Sequence, residues 1–76
     1  MNNARRKQLE LAEQHIDTAC DLIQSALDDE QESLDNIPEN LMESERYTKM
    51  EDAVDHLGDA LESLEDAKEE LSAAKE

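Results

Sequence analysis

A chain of 76 residues can hold one small domain, and domains of that size rarely bury enough core to stand without a disulfide, a metal or a second subunit. The single cysteine, Cys20, excludes an internal disulfide, and no apolar run approaches the ~18 residues of a transmembrane helix. Twenty-two Asp and Glu against seven Lys and Arg leave a net charge of −15, which repels nucleic acid and anionic lipid and attracts basic proteins.

The opening stretch MNNARRKQLELAEQH lacks the apolar core of a signal peptide, so a soluble, cytoplasmic protein is expected. With a single aromatic and many charges the composition alone would permit disorder, but a helical period runs through the chain. Leu9, Ile16, Ile23 and Glu30 recur every seventh residue. Three residues after each come Ala12, Ala19, Ala26 and Ser33, and four after each come Glu13, Cys20, Leu27 and Leu34. This pattern makes an apolar stripe about 100° wide and predicts an amphipathic helix over residues 4–35.

Residues 36–43 predict a turn. Asn36 and Pro38 stop the first helix, because the residue before proline avoids helical angles, and Ser44 or Asn40 can cap the second. Ile37 and Leu41 are placed to close the end of the core. The second helix, residues 44–75, repeats the pattern with Met50, Leu57, Leu64 and Leu71, then Ala53, Ala60, Ala67 and Ala74, then Val54, Leu61, Lys68 and Lys75. At about 1.5 Å rise per residue each helix is roughly 50 Å long.

The short link forces antiparallel packing, and one alignment satisfies all three rows. It sets Leu9 against Leu71, Ile16 against Leu64, Ile23 against Leu57 and Glu30 against Met50. The alanines then match as Ala12 with Ala67, Ala19 with Ala60 and Ala26 with Ala53. The last row pairs Glu13 with Lys68, Cys20 with Leu61, Leu27 with Val54 and Leu34 with Tyr47. Facing alanines let the axes approach toward the low end of the usual 8–10 Å. The expected fold is therefore an all-α, antiparallel two-helix hairpin, coiled-coil-like with an Ala-rich interface.

A lone hairpin leaves Cys20, Leu27, Leu34, Val54 and Leu61 open along one edge. Pairing of two hairpins into a four-helix bundle would cover them, and a homodimer is expected. Gly58 lies beside this row. Mid-helix glycine costs about 1 kcal/mol relative to alanine, so it either marks a close approach by another backbone or is tolerated on an exposed face.

An enzyme reading finds little support, since two extended helices offer no evident pocket and no phosphate loop, nucleophile elbow or calcium loop is present. His15 and His56 share a heptad position but stand about nine residues, or roughly 13 Å, apart along the hairpin. They cannot share a metal within it, and no metal or cofactor is expected. Cys20 reads as a small buried hydrophobe. Glu30, in a row of large apolar residues, reads as a register-fixing partner for Arg46 or Lys49.

Charge is distributed unevenly. From Gln8 to Glu45 there are twelve carboxylates and no Lys or Arg, and from Met50 to Ala67 there are seven and again none. Asp52, Asp55, Asp59, Glu62, Asp66 and Glu69 alternate steps of three and four, one ridge on the outer face of the second helix; Asp17, Asp21, Asp28 and Asp35 are its counterparts on the first. Interspersed lysines would have removed the like-charge cost of such spacings. The faces serve either solubility or imitation of a nucleic-acid backbone toward a basic binding groove. The bases gather instead at one tip, as Arg5, Arg6, Lys7, Lys68 and Lys75, where those on the first helix oppose its dipole.

At DNIPENLMESERYTKMEDAVDHLGDALESLEDA the chain resembles small acidic helical proteins of phages, prophages and mobile elements of Gram-positive bacteria. In these a D-N-x-P-E-N-L-x-x-S-E-R turn precedes a helix of repeated acid-acid-Ala-x-x-x-Leu type, and the likeness runs over nearly the whole chain. The resemblance implies a phage accessory protein in the host cytoplasm and an inhibitor of host defence nucleases, as in anti-CRISPR and anti-restriction DNA mimics. It transfers no catalytic or binding residue. The expected function is thus a non-enzymatic acidic nucleic-acid mimic that binds a basic, nucleic-acid-binding defence protein and contacts neither nucleic acid nor membrane directly. The alternative is an assembly adaptor that homodimerises and binds its partner through Leu41 and Met42 at the turn.

Overall fold

The computed structural model describes residues 1–76 as two long helices joined by a short turn, α1 (Asn3–Asp35) and α2 (Glu45–Lys75), with a 3₁₀ turn over Glu39–Leu41 between them. They pack against each other as an antiparallel hairpin with extents of 59 × 15 × 13 Å. No helix is long and apolar enough to cross a membrane.

Each boundary has a local cause. The Asn2 side chain accepts a hydrogen bond from the Arg5 amide at 2.8 Å and so caps the first turn of α1. At the other end Asn36 leaves the helix and Pro38 takes an extended conformation, φ −61° and ψ 146°, which lets the chain reverse. Ser44 rather than Asn40 caps α2, its hydroxyl accepting from the Tyr47 amide at 3.2 Å. Glu45 in the first turn of α2 and Lys75 in its last complement the helix dipole.

The three heptad rows form the contact face. Leu9, Ile16, Ile23, Met50, Leu57, Leu64 and Leu71 are half-buried, as are Cys20, Leu27, Leu34, Val54 and Leu61. The small-residue row departs from expectation at three places: Ala26, Ser33 and Ala74 are exposed, whereas Gln31, outside the predicted stripe, is half-buried. Helix geometry explains the pattern. A straight α-helix lags a seven-residue repeat by about 20° per heptad, so toward the C-terminal end of each helix the alanine row rotates out of the seam. The row containing Leu34 or Lys75 rotates in, and on α1 Gln31 follows it.

No residue of the single hairpin is fully buried, and its accessible surface is 5768 Å². Two helices touching along one seam can shield side chains only from one direction. Tyr47 and Ile37 are half-buried at the turn end, where Leu34 is also half-buried, while Leu41 is 48 % exposed and closes the core less than the sequence suggests.

Candidate functional site

The two helices present their carboxylates differently. On α2, Asp52, Asp55, Asp59, Glu62, Asp66 and Glu69 are all exposed and none takes part in an ion pair. Seventeen residues of helix separate the first from the last, about 25 Å, so successive carboxylates stand roughly 5 Å apart along the axis. On α1 the four candidate acids are divided. Asp28 and Asp35 accept hydrogen bonds from Gln24 and Gln31, each at 2.9 Å and one turn away, while Asp21 has no such partner. Such i,i+4 amide contacts contribute about 0.2–0.5 kcal/mol each to the helix and partly offset the like-charge repulsion. Asp17 is engaged across the seam by the Lys68 ammonium.

The cross-helix ion pairs differ from the predicted Glu13–Lys68 pairing by one helical turn on α1 in one case and two turns on α2 in the other. Lys68 reaches Asp17, and Glu13 is taken by Lys75 instead, whose Nζ lies 2.9 Å from Oε1 and donates to Oε2 at 3.1 Å. The cause is the tilt of every Cα–Cβ bond toward the N-terminus of its helix. In an antiparallel pair this sends α2 lysines toward the turn and α1 acids away from it, so partners meet from offset positions. The Lys75–Glu13 pair is the more sheltered, with the two side chains 22 % and 19 % exposed. The hydrogen bond to Asp17 and that carboxylate's charge raise Lys68 above the ordinary lysine value of 10.5, with smaller contributions from Cys20 and Glu13.

Arg6 has a role that sequence reasoning missed. Its Nε donates to the Lys75 carbonyl at 3.0 Å, satisfying one of the carbonyls left open at the end of α2. A base that opposes the dipole of its own helix thus serves the C-terminus of its neighbour. The signal was available in the antiparallel alignment, which continues the Glu13-containing row outward to Arg6 and Lys75.

The other candidate residues are placed as follows. Glu30 is half-buried without an ion pair, because Lys49 binds Glu45, the residue one turn before it, at 3.3 Å. The expected register-fixing pair is therefore not formed, and Glu30 borders a shallow groove with Arg46, Lys49 and Met50. Cys20 is a half-buried free thiol. His15 and His56 are exposed, and no three His, Cys, Asp or Glu side chains converge as a metal site. Leu41 and Met42 are 48 % and 42 % exposed at the turn; Leu11 and Leu22, outside the heptad rows, are more exposed still at 53 % and 68 %. Comparisons with models of known protein families, with curated proteins and with solved structures find no match to this chain.

Proposed function

We propose that the chain is a non-enzymatic protein-binding module, an acidic nucleic-acid mimic whose carboxylate ridge occupies the basic, nucleic-acid-binding groove of a partner protein. The observation that carries this reading is the uninterrupted run of six unpaired, exposed carboxylates along one face of α2. Only Glu13, Asp17 and Glu45 among the 22 acidic residues form ion pairs, so most of the negative charge faces solvent. Fifteen net charges over a 59 Å long axis amount to about one per 4 Å, within a factor of about 2.5 of the ~1.7 Å of duplex DNA. The resemblance to phage and mobile-element proteins points to a host defence nuclease as the partner class.

The test begins with capture from host cell lysate and mass spectrometry. Excess duplex DNA should then displace the captured protein, and affinity should fall steeply as salt rises. Reversing Asp55, Asp59 and Glu62 together to lysine should abolish capture with helicity intact. A complex that survives both concentrated salt and excess duplex refutes mimicry.

The exposure of Leu41 and Met42 at the turn supports a second reading, an assembly adaptor anchored by these two side chains. Under it, Leu41→Ser with Met42→Ser removes the partner, while the triple charge reversal leaves it bound.

A further inference from the structure

We propose that the open edge of the hairpin is covered by a second copy of the same chain, with the two turns at opposite ends of a four-helix bundle. This goes beyond the partner-binding reading and does not depend on it. Three observations carry it.

The first is area. A folded protein of 8.6 kDa is expected to expose about 4,700 Å², and this hairpin exposes 5768 Å² with no residue fully buried. The excess, roughly 1,100 Å², exceeds the ~800 Å² that each partner contributes to a standard interface. The second is the location of the apolar surface. Cys20, Leu27 and Leu34 on α1 and Val54 and Leu61 on α2 remain half-exposed on the edge along which Lys68 meets Asp17. Gly58 lies beside them, and a Cβ built there meets nothing within 4 Å, so nothing in the single hairpin requires glycine.

The third is charge, which selects the orientation. Beyond Cys20 and Leu61 the same edge turns charged, with Lys68 and Lys75 toward the tip, while Glu39 and Glu43 are exposed at the turn. Stacking two edges with the turns at the same end sets acidic turn on acidic turn, while at the tip Lys68 and Lys75 are already paired with Asp17 and Glu13. Reversing one hairpin about Leu27 instead brings each Lys68, about 21 Å along the axis from Leu27, level with the partner's acidic turn. It also keeps the row apolar throughout, since Leu27 meets its own copy, Cys20 meets Leu34 and Leu61 meets Tyr47.

The arrangement predicts specific crosslinks. In a Cys20→Ala background, Leu27→Cys lies at the two-fold axis and should give a disulfide-linked dimer under mild oxidation with diamide. Leu34→Cys in that background should not, because the two copies of residue 34 lie about 21 Å apart along the bundle, beyond the ~7 Å Cα separation a disulfide spans. Restoring Cys20 beside Leu34→Cys should recover crosslinking. Sedimentation equilibrium of the unmodified chain at tens of micromolar, in about 0.5 M salt where charges are screened beyond ~4 Å, should give twice 8.6 kDa. A monomer under those conditions overturns the proposal. A dimer in which Leu34→Cys crosslinks with itself, or Leu27→Cys does not, overturns the orientation.

Discussion

Replacing Gly58 with alanine separates what the hairpin needs from what a second copy needs. Gly58 lies near the middle of α2, and a Cβ at that position meets nothing within 4 Å. Within one hairpin the substitution therefore removes the backbone-entropy cost of a mid-helix glycine, about 0.8–1.0 kcal/mol, and adds no clash. For a domain of this size that gain corresponds to a rise in melting temperature of about 4–8 °C. The assay is thermal unfolding followed by circular dichroism at 222 nm, at concentrations low enough for the chain to be monomeric. A fall in melting temperature there refutes the reasoning, since it would mean that the hairpin's own atoms occupy the space beside Gly58. A longer side chain extends the argument. Gly58→Leu projects from an open Cβ position onto the edge assigned to the second copy, so its melting temperature should lose the rise with concentration that a dimer shows.

Three further outcomes follow from named contacts. Ser44→Ala removes the hydroxyl that accepts from the Tyr47 amide and should cost about 1 kcal/mol, read as a lower urea midpoint with unchanged slope. Leu57→Ala, on the half-buried central row, should cost about 1–2 kcal/mol, less than a fully buried leucine, whereas Leu22→Ala, at 68 % exposure, should stay within about 0.5 kcal/mol in the same titration. Lys68 is raised by its bond to Asp17, so its contribution is complete below the ordinary lysine value of 10.5 and is lost as pH climbs through the higher folded value. Urea titrations across the alkaline range should show the advantage of the wild type over Asp17→Asn shrinking only above pH 10.5, and an advantage lost at neutral pH would contradict the assignment.

The all-helical hairpin was legible because each of its determinants is local or periodic. Leu9, Ile16 and Ile23 announce the seam by their spacing, and Ser44 announces a helix start by its chemistry. What the spacing could not carry was anything set by three-dimensional offset. Ala26, Ser33 and Ala74 sit at correct heptad positions and are exposed, because a strict repeat of seven assumes a superhelix that this pair does not fully adopt. The Glu13–Lys68 pair was misassigned for a related reason: opposition of Cα atoms says little about where two long, oppositely tilted side chains meet. Glu30 lost its expected partner to a local competitor, since Glu45 lies one turn from Lys49 on the same helix and pays less entropy to reach it. The acidic ridge, by contrast, could be read from spacing alone, because exposure is the default for charged residues on an outer face.

The same charge has opposite consequences for the two proposed associations. A basic groove is attracted by the carboxylates of α1 and α2, so its complex should weaken as salt is added. Two copies carrying −15 each repel, and at low ionic strength, where the Debye length is about 30 Å at 0.01 M, that repulsion acts across the whole thickness of a bundle. Self-association through Leu27 and Val54 should therefore strengthen with salt, which screens the repulsion and leaves apolar burial untouched. Dimer formation in turn doubles the charge; with the two hairpins staggered about Leu27 the bundle is about 76 Å long, so the density rises to about one charge per 2.5 Å, closer to the ~1.7 Å of duplex DNA than one hairpin can come. A basic partner would relieve the repulsion that opposes pairing, so partner binding and dimerisation should favour each other. By the reciprocity of coupled equilibria, a row variant such as Leu27→Glu that holds the chain monomeric should bind the partner more weakly although every ridge carboxylate is intact. Equal affinity of monomer and dimer would show that the ridge of a single hairpin is the complete binding surface.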